Sequence, residues 1–123
     1  MPYMLLINEP MGQREARGRA EGEKVYARML DFAATLQARG VLQAAQALAG
    51  LEQATKVQVR DGQPRWVDGP FAEVKEMVGG YFLVDVPTRE EALAIAAACP
   101  AAEWATVEVR NLGPCFHDAA ENS

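Results

Sequence analysis

The run YMLLI at residues 3–7 constrains the fold more than any other feature, because it is apolar on both sides of an extended chain. Such a run is typical of a strand that is covered on both faces. A second strand is predicted at Tyr81–Val86, where side chains alternate between two faces and Pro87 ends the strand. The chain of 123 residues is therefore expected to form one domain around a sheet.

A helix is predicted from about Glu21 to Arg39. Its apolar residues recur at helical spacing, which places them on one face. They are Val25, Met29, Phe32 and Leu36. Gly40 tolerates the left-handed conformation and is a suitable stop. The preceding segment, Gly12–Gly22, is rich in glycine and charge and is predicted to be a loop.

A second helix is predicted from Thr88 to Cys99. The sequence TREE at its start has the form of a capping box, in which Thr88 and Glu91 satisfy free amides of the first turn. Pro100 stops this helix. The residues expected to be buried are Leu93, Ile95 and Ala96. Further strands are predicted at about Val41–Leu48 and at Thr106–Arg110, the first of them from an alanine-rich segment that also resembles a helix.

A hairpin is predicted between these segments. Thr55–Arg60 alternates between apolar and polar residues, Asp61-Gly62 is a tight-turn signal, and Arg65–Val67 forms the return arm. Pro64 confines that arm to an edge because it cannot donate a ladder hydrogen bond.

The order of these elements predicts an α+β, ferredoxin-like fold, a split β-α-β pattern with an inserted hairpin. Two helices cover one face of such a sheet, and the other face still carries apolar side chains. A patch of that size is expected to be covered. We therefore expect a homodimer in which a second sheet covers the first.

The segment DGPFAEVKEMVGG at residues 68–80 combines a Pro-Phe corner, charged residues and a glycine pair. Pro70–Glu76 is predicted to form one or two helical turns with the Asp68 carboxylate at their amide-rich start. Gly79-Gly80 would end the turn and let the backbone bend into the next strand. Asp68 is either a structural cap or a group that lines a pocket, and both interpretations stay open.

These residues resemble the DGPF branch of the YCII-related proteins, whose signature matches DGPFAEVKE at 68–76 and GGY at 79–81. Further matches, including YMLL at 3–6 and VEVR at 107–110, extend the resemblance over residues 1–112. The resemblance implies a ferredoxin-like fold that forms a dimeric α/β barrel. The tail at residues 113–123 lies outside it and is expected to be flexible.

The resemblance implies little about the reaction. Shorter YCII proteins are proposed to be enzymes that use a His–Asp pair, whereas DGPF members are often encoded beside extracytoplasmic-function sigma factors. This chain has one histidine, His117, which lies beyond the last predicted strand. A His–Asp mechanism is therefore not expected here.

Composition excludes several classes of function. The net charge of −5 and the absence of a basic stripe argue against nucleic-acid binding. The N-terminal apolar run is too short for a signal peptide or a membrane span, so a cytoplasmic location is expected. One histidine and scattered carboxylates predict neither a metal site nor a cofactor. Cys99 is interpreted as a small core residue.

Two hypotheses remain. The first is a cofactor-free lyase, isomerase or oxidative enzyme that binds a small organic molecule. Its catalytic candidates are Asp68 and Tyr81, and its candidate ligand-binding residues are Phe71, Glu73, Lys75 and Glu76. The second is a non-catalytic protein that binds a metabolite or a sigma factor. An exposed Trp66 would suit a partner contact, although packing of Trp66 and Trp104 on the sheet is favoured.

Overall fold

The computed structural model describes residues 1–117 of the chain. Within this range, six strands and two helices follow one another, with short 3₁₀ turns at Leu51–Gln53 and Pro100–Glu103. The strands are β1 (Pro2–Pro10), β2 (Leu42–Ala47), β3 (Thr55–Arg60), β4 (Gln63–Asp68), β5 (Glu76–Asp85) and β6 (Thr106–Asn111). The helices are α1 (Gln13–Ala38) and α2 (Arg89–Ala98).

Four strands form one antiparallel sheet in the order β2-β5-β1-β6. Helix α1 connects β1 to β2 across β5, and α2 connects β5 to β6 across β1. Each helix thus joins two parallel strands that are separated by a third, which is the split β-α-β arrangement. The predicted ferredoxin-like fold is confirmed, and β3 and β4 form the predicted hairpin as a separate two-stranded sheet.

The core lies between the helices and one face of the sheet. Strand alternation directs Tyr3, Leu5 and Ile7 of β1 to this face, where all three are buried. From β5, Phe82 meets Phe32 of α1 edge to face, with ring centroids 5.4 Å apart. The remaining buried residues of the cluster come from both helices, the connections and β5: Leu36, Val84, Val86, Ala92, Ile95, Ala96, Cys99 and Ala101.

The opposite sheet face carries the side chains that alternate with the core residues along β1 and β5. Met4 pairs with Leu83 and Leu6 pairs with Tyr81 across the two central strands, and all four are partly exposed. None of them belongs to the buried core. The predicted apolar second face is therefore present, and the homodimer that would cover it stays a prediction.

The N-terminal end of α1 corrects the predicted loop at Gly12–Gly22. The helix begins at Gln13, eight residues before the predicted start, and it is kinked at Gly18 (φ 79°, ψ 173°). Gly12, the residue before the helix, also has a positive φ of 85°. The glycines predicted a loop because they disfavour helix, but here they start the helix and bend it.

The segment after Asp68 also differs from the prediction of helical turns at Pro70–Glu76. It forms an irregular turn in which the Val74 amide donates to the Phe71 carbonyl (3.1 Å), and β5 then begins at Glu76. Asp68 does not cap this turn: its Oδ1 accepts from Thr55 Oγ1 (2.8 Å) across the hairpin. The glycine pair at 79–80 lies inside β5.

Helix α2 confirms the Thr88 half of its predicted capping box, since Thr88 Oγ1 accepts a hydrogen bond from the Glu91 amide (3.2 Å), whereas within residues 1–117 the Glu91 carboxylate accepts none from the Thr88 amide. One buried residue was wrongly predicted. Leu93 is exposed, and Ala92 is fully buried in its place. Ala92 shares one helix face with Ile95, Ala96 and Cys99, whereas Leu93 lies beside that face. Within residues 1–117, neither helix is both long and apolar enough to cross a membrane.

Candidate functional site

A cleft of about 910 Å³ lies between α1 and the sheet. Its floor is formed by the end of β1, the first half of β5 and the end of β2. The wall from α1 is apolar over two turns, where Val25, Met29 and Ala33 face the sheet. The cleft therefore continues the apolar stripe of α1 beyond the packed core, toward the kinked start of the helix.

An ion pair with a buried carboxylate and a partly exposed arginine lies at one end of the cleft. Glu9 is 7% exposed and is the one buried charged residue of the described chain. Arg14 donates from Nε to Glu9 Oε1 (2.5 Å) and from Nη2 to Glu9 Oε2 (3.3 Å), and it also reaches the carbonyl oxygens of Leu48 (2.9 Å) and Gly79 (3.4 Å). A buried carboxylate requires such a partner. The pair is therefore held in one orientation by two strands and the helix.

The glycine pair makes room for this arrangement. The register of β1 and β5 shifts between Ile7 and Asn8, which leaves Gly79 as the extra residue of a β-bulge. A Cβ atom on Gly79 would lie 2.7 Å from Glu9 Cδ and 2.9 Å from Arg14 Nη2. On Gly80 it would lie 2.8 Å from the Gln46 carbonyl oxygen. The two glycines thus allow close packing around the ion pair, and they do not end a turn.

Arg17 and Trp104 line another part of the cleft, and further polar residues hold Trp104 from outside it. The Arg17 guanidinium lies 5.6 Å from the centroid of the Trp104 ring, and that of Arg28 lies 5.4 Å from it. Arg28 donates two hydrogen bonds to Glu103 (2.6 and 3.2 Å), which lower the pKa of that carboxyl group. Gln13 Nε2 donates to the Trp104 carbonyl oxygen (2.6 Å). Trp104 is therefore fixed from several sides.

Of the two predicted catalytic residues, Tyr81 borders the cleft and Asp68 does not. Asp68 is exposed at the end of β4, where it is bound to Thr55. Tyr81 lies between Gly80 and Phe82 in β5. Because the Phe82 side chain faces the helices, alternation directs the Tyr81 side chain to the open sheet face. The structure does not bring Asp68 and Tyr81 together around this cleft, and their catalytic roles stay predictions.

The predicted ligand-binding residues lie near the hairpin. Phe71 is buried, with Lys56 Nζ 4.1 Å from its ring centroid. Glu73 is exposed, 3.9 Å from the same lysine, and Lys75 and Glu76 are exposed as well. None of these four residues lines the cleft. Their role in ligand binding stays a prediction.

Sequence reasoning missed Glu9, Arg14 and Arg17 as site residues. A signal for Glu9 is present in the sequence: it continues the alternation of Tyr3, Leu5 and Ile7, which places its carboxylate on the core face. The two arginines could not be found in this way, because their segment was predicted to be a loop.

Other predicted side chains lie away from the cleft. Trp66 is 67% exposed on the hairpin, so the favoured packing on the sheet is wrong for this residue. Among the described residues, no three His, Cys, Asp or Glu side chains are grouped in a way that could hold a metal ion. His117 is exposed beyond β6. Part of the tail that was expected to be flexible, residues 118–123, lies outside the described residues.

The sequence model of the YCII-related domain matches residues 1–115. The chain belongs to the YCII-related family. A comparison with curated proteins found no match.

Among solved structures, this YCII-related protein is similar to the 5-chloro-2-hydroxyhydroquinone dehydrochlorinase TftG from Burkholderia phenoliruptrix AC1100, in complex with 2,5-dihydroxybenzoquinone. The similarity covers 92% of this chain and 94% of that chain, with a TM-score of 0.56 and 15% sequence identity. This likeness shows the fold, in agreement with the sheet order described above.

Proposed function

We propose that this YCII-related protein binds a small organic molecule in the cleft between α1 and the sheet. The observation that carries the proposal is the combination of an apolar cleft of about 910 Å³ with the Glu9–Arg14 pair, whose carboxylate is buried, at its end. Ligand sites commonly have volumes of roughly 300–1,000 Å³, apolar walls and a few fixed polar groups. The small-molecule complex of TftG supports the proposal.

The ion pair is suited to orienting a ligand. Four hydrogen bonds from Arg14 hold its guanidinium group against Glu9, Leu48 and Gly79, and a guanidinium has five N–H donors. One N–H group therefore remains to meet a ligand acceptor. Because the planar guanidinium is bonded at Nε, Nη1 and Nη2, the direction of its remaining N–H group on Nη1 is set before a ligand arrives, which lowers the entropic cost of binding.

The proposal places the ligand away from Asp68. The groups of the cleft lining that could transfer a proton are Glu9, Glu15, Glu23 and the tyrosines Tyr26 and Tyr81, because the lining among the described residues contains no histidine or cysteine. Glu9 and Glu23 are paired with arginines. The geometry thus supports binding more directly than it supports a particular reaction.

Binding can be tested by NMR with ¹⁵N-labelled protein and a set of small aromatic compounds that includes 2,5-dihydroxybenzoquinone, benzamide and salicylate. We expect amide shifts to cluster at Gly79, Gly80 and the Trp104 indole. Ala47 lines the cleft on an exposed edge, so Ala47→Phe should fill part of it and weaken binding. Ala49→Phe is the matched control, because Ala49 is exposed and does not line the cleft.

Shifts that cluster around Asp68 and Phe71 instead would contradict the proposal. So would equal binding by wild type and Ala47→Phe, or the absence of cleft shifts with every compound of the set.

A further inference from the structure

We propose that the cleft selects anionic ligands, namely aromatic compounds with a carboxylate or an ionised hydroxyl group, and that Arg17 is the residue that selects them. This inference rests on the proposed function, since it names the class of molecule that the cleft would bind. It concerns a residue outside the Glu9–Arg14 pair.

Arg17 differs from the other cations of the cleft in its partners. Three arginines line the cleft, Arg14, Arg17 and Arg19. Arg14 is bound to Glu9 (2.5 Å), and Arg19 is bound to Glu23 (2.9 Å). Within residues 1–117, Arg17 has neither a salt bridge within 4.0 Å nor a side-chain hydrogen bond. Its charge is therefore available to a ligand.

Trp104 holds the Arg17 guanidinium group at the cleft. Arg17 lies over the Trp104 ring, and such a contact attracts the guanidinium electrostatically without using its N–H groups. The Trp104 ring is also contacted by the Arg28 guanidinium, which is bound to Glu103. Gln13 binds the backbone carbonyl oxygen of Trp104. Arg17 is thus positioned at the cleft with its planar fork of donors still open. That fork matches the two oxygen atoms of a carboxylate.

The charges around Arg17 favour an anion over a cation. Glu15 is the other charged residue of the cleft without a salt bridge in the described range, but its side chain is exposed and also borders a separate, smaller cavity at Gly12 and Met77. Exposed charges are screened by water and salt. Arg17 is partly buried, so its attraction for an anion is screened less than the repulsion from the exposed Glu15.

The chemistry of the walls selects an aromatic anion. Phe82 and Trp104 border the cleft together with the apolar side chains of α1. A planar ring can pack against these surfaces while its acidic group reaches Arg17. A small hydrophilic anion such as phosphate would satisfy Arg17 and leave the apolar walls uncovered.

The inference can be tested by calorimetric titration of matched pairs of probes. The pairs are benzoate with benzamide, salicylate with salicylamide, and 2,5-dihydroxybenzoquinone, which is ionised at neutral pH, with 2,5-dimethoxybenzoquinone. We expect the anionic member of a pair to bind more tightly than its neutral counterpart. Arg17→Gln should weaken binding of the anionic member about tenfold and leave the neutral member within about twofold.

Lys24→Gln is the matched control, because it removes a neighbouring cation of α1 that is paired with Glu21 and does not line the cleft, so it should change neither affinity by more than about twofold. Arg17→Lys keeps the charge and removes the fork, so it should retain part of the preference. Thermal melts establish that all variants fold.

Equal affinity for both members of every pair, with no effect of Arg17→Gln, would overturn the inference and leave the proposed function intact. So would an equal loss in Arg17→Gln and Lys24→Gln, which would indicate general charge attraction. Failure of every probe to bind in the cleft would overturn both.

Discussion

At the scale of single residues, the two cysteines occupy opposite environments. Cys99 is 2% exposed at the end of α2, whereas Cys115 is exposed beyond β6. Burial raises the pKa of the Cys99 thiol, and hydrogen bonds from the backbone at Ala101 and Ala102 offset part of that effect. Since the thiolate is the reactive form, a raised pKa means less thiolate at a given pH.

We therefore expect iodoacetamide at about pH 8, just below the usual thiol pKa of about 8.5, to modify Cys115 and spare Cys99 in the folded protein. Mass spectrometry should show one modified thiol in native buffer and two in guanidinium chloride. Cys115→Ser is the control and should remain unmodified until it is unfolded. Rapid native labelling of Cys99 would show that the end of α2 opens in solution.

The site residues show how far residue-level reasoning reaches. Asp68 was selected because it opens a conspicuous motif, yet it is exposed and bonded to Thr55. Glu9 stands in no motif, yet it is the buried charge beside the cleft. Local chemistry identified groups that accept hydrogen bonds. It did not identify which of them the fold would bury.

At the scale of elements, the start of α1 determines the shape of the cleft. Gln13–Arg17 is a short helical segment that carries Arg14 and Arg17, and Gly18 joins it to the long part of the helix. The Gly18 backbone (φ 79°, ψ 173°) lies in a region that is essentially restricted to glycine. The kink therefore depends on this residue.

Gly18→Ala should destabilise the protein by about 1–3 kcal/mol or straighten the helix. Straightening would displace Arg14 and Arg17, so in that case binding of 2,5-dihydroxybenzoquinone should weaken as well. Chemical denaturation and calorimetry measure the two effects. Gly22→Ala is the control: Gly22 lies within the helix, without a positive φ and without a neighbour within 4 Å of an added Cβ. It should stabilise the protein by about 0.5–1 kcal/mol.

If Gly18→Ala were as stable as Gly22→Ala and bound the probe as wild type does, α1 would have no functional kink.

The hairpin and α2 were easier to predict than α1, because a tight turn and a helix cap depend on neighbours in sequence. The kink depends on glycines that the same rules assign to loops.

At the scale of the whole molecule, the open sheet face is an apolar surface that no element of the described chain covers. Met4, Leu6, Tyr81 and Leu83 form an apolar group at its centre. Polar groups lie at its edge, where Asn8 donates to Glu108 (2.8 Å) and Arg110 lies 3.4 Å from Glu108. An apolar centre with a polar rim is typical of a protein interface. We propose that a second copy of the chain covers this face.

Leu83→Glu should therefore convert a dimer into a folded monomer, because it places a charge at the centre of the apolar group. Light scattering coupled to size-exclusion chromatography measures the mass, and circular dichroism measures the fold. Leu93→Glu is the control, since Leu93 is exposed on α2, away from the sheet. A wild-type protein that is monomeric at micromolar concentration would exclude this interface.

The sequence by itself determined the order of the elements, the hairpin and the two faces of the sheet. These features follow from the period of apolar residues and from turn chemistry, which act over a few neighbouring residues. Only the tertiary structure decided where the site lies. Glu9 meets Gly79 through strand register and a bulge, and Arg17 meets Trp104 across the molecule. Periodicity states which face a side chain occupies, but contacts between distant residues depend on how the elements pack.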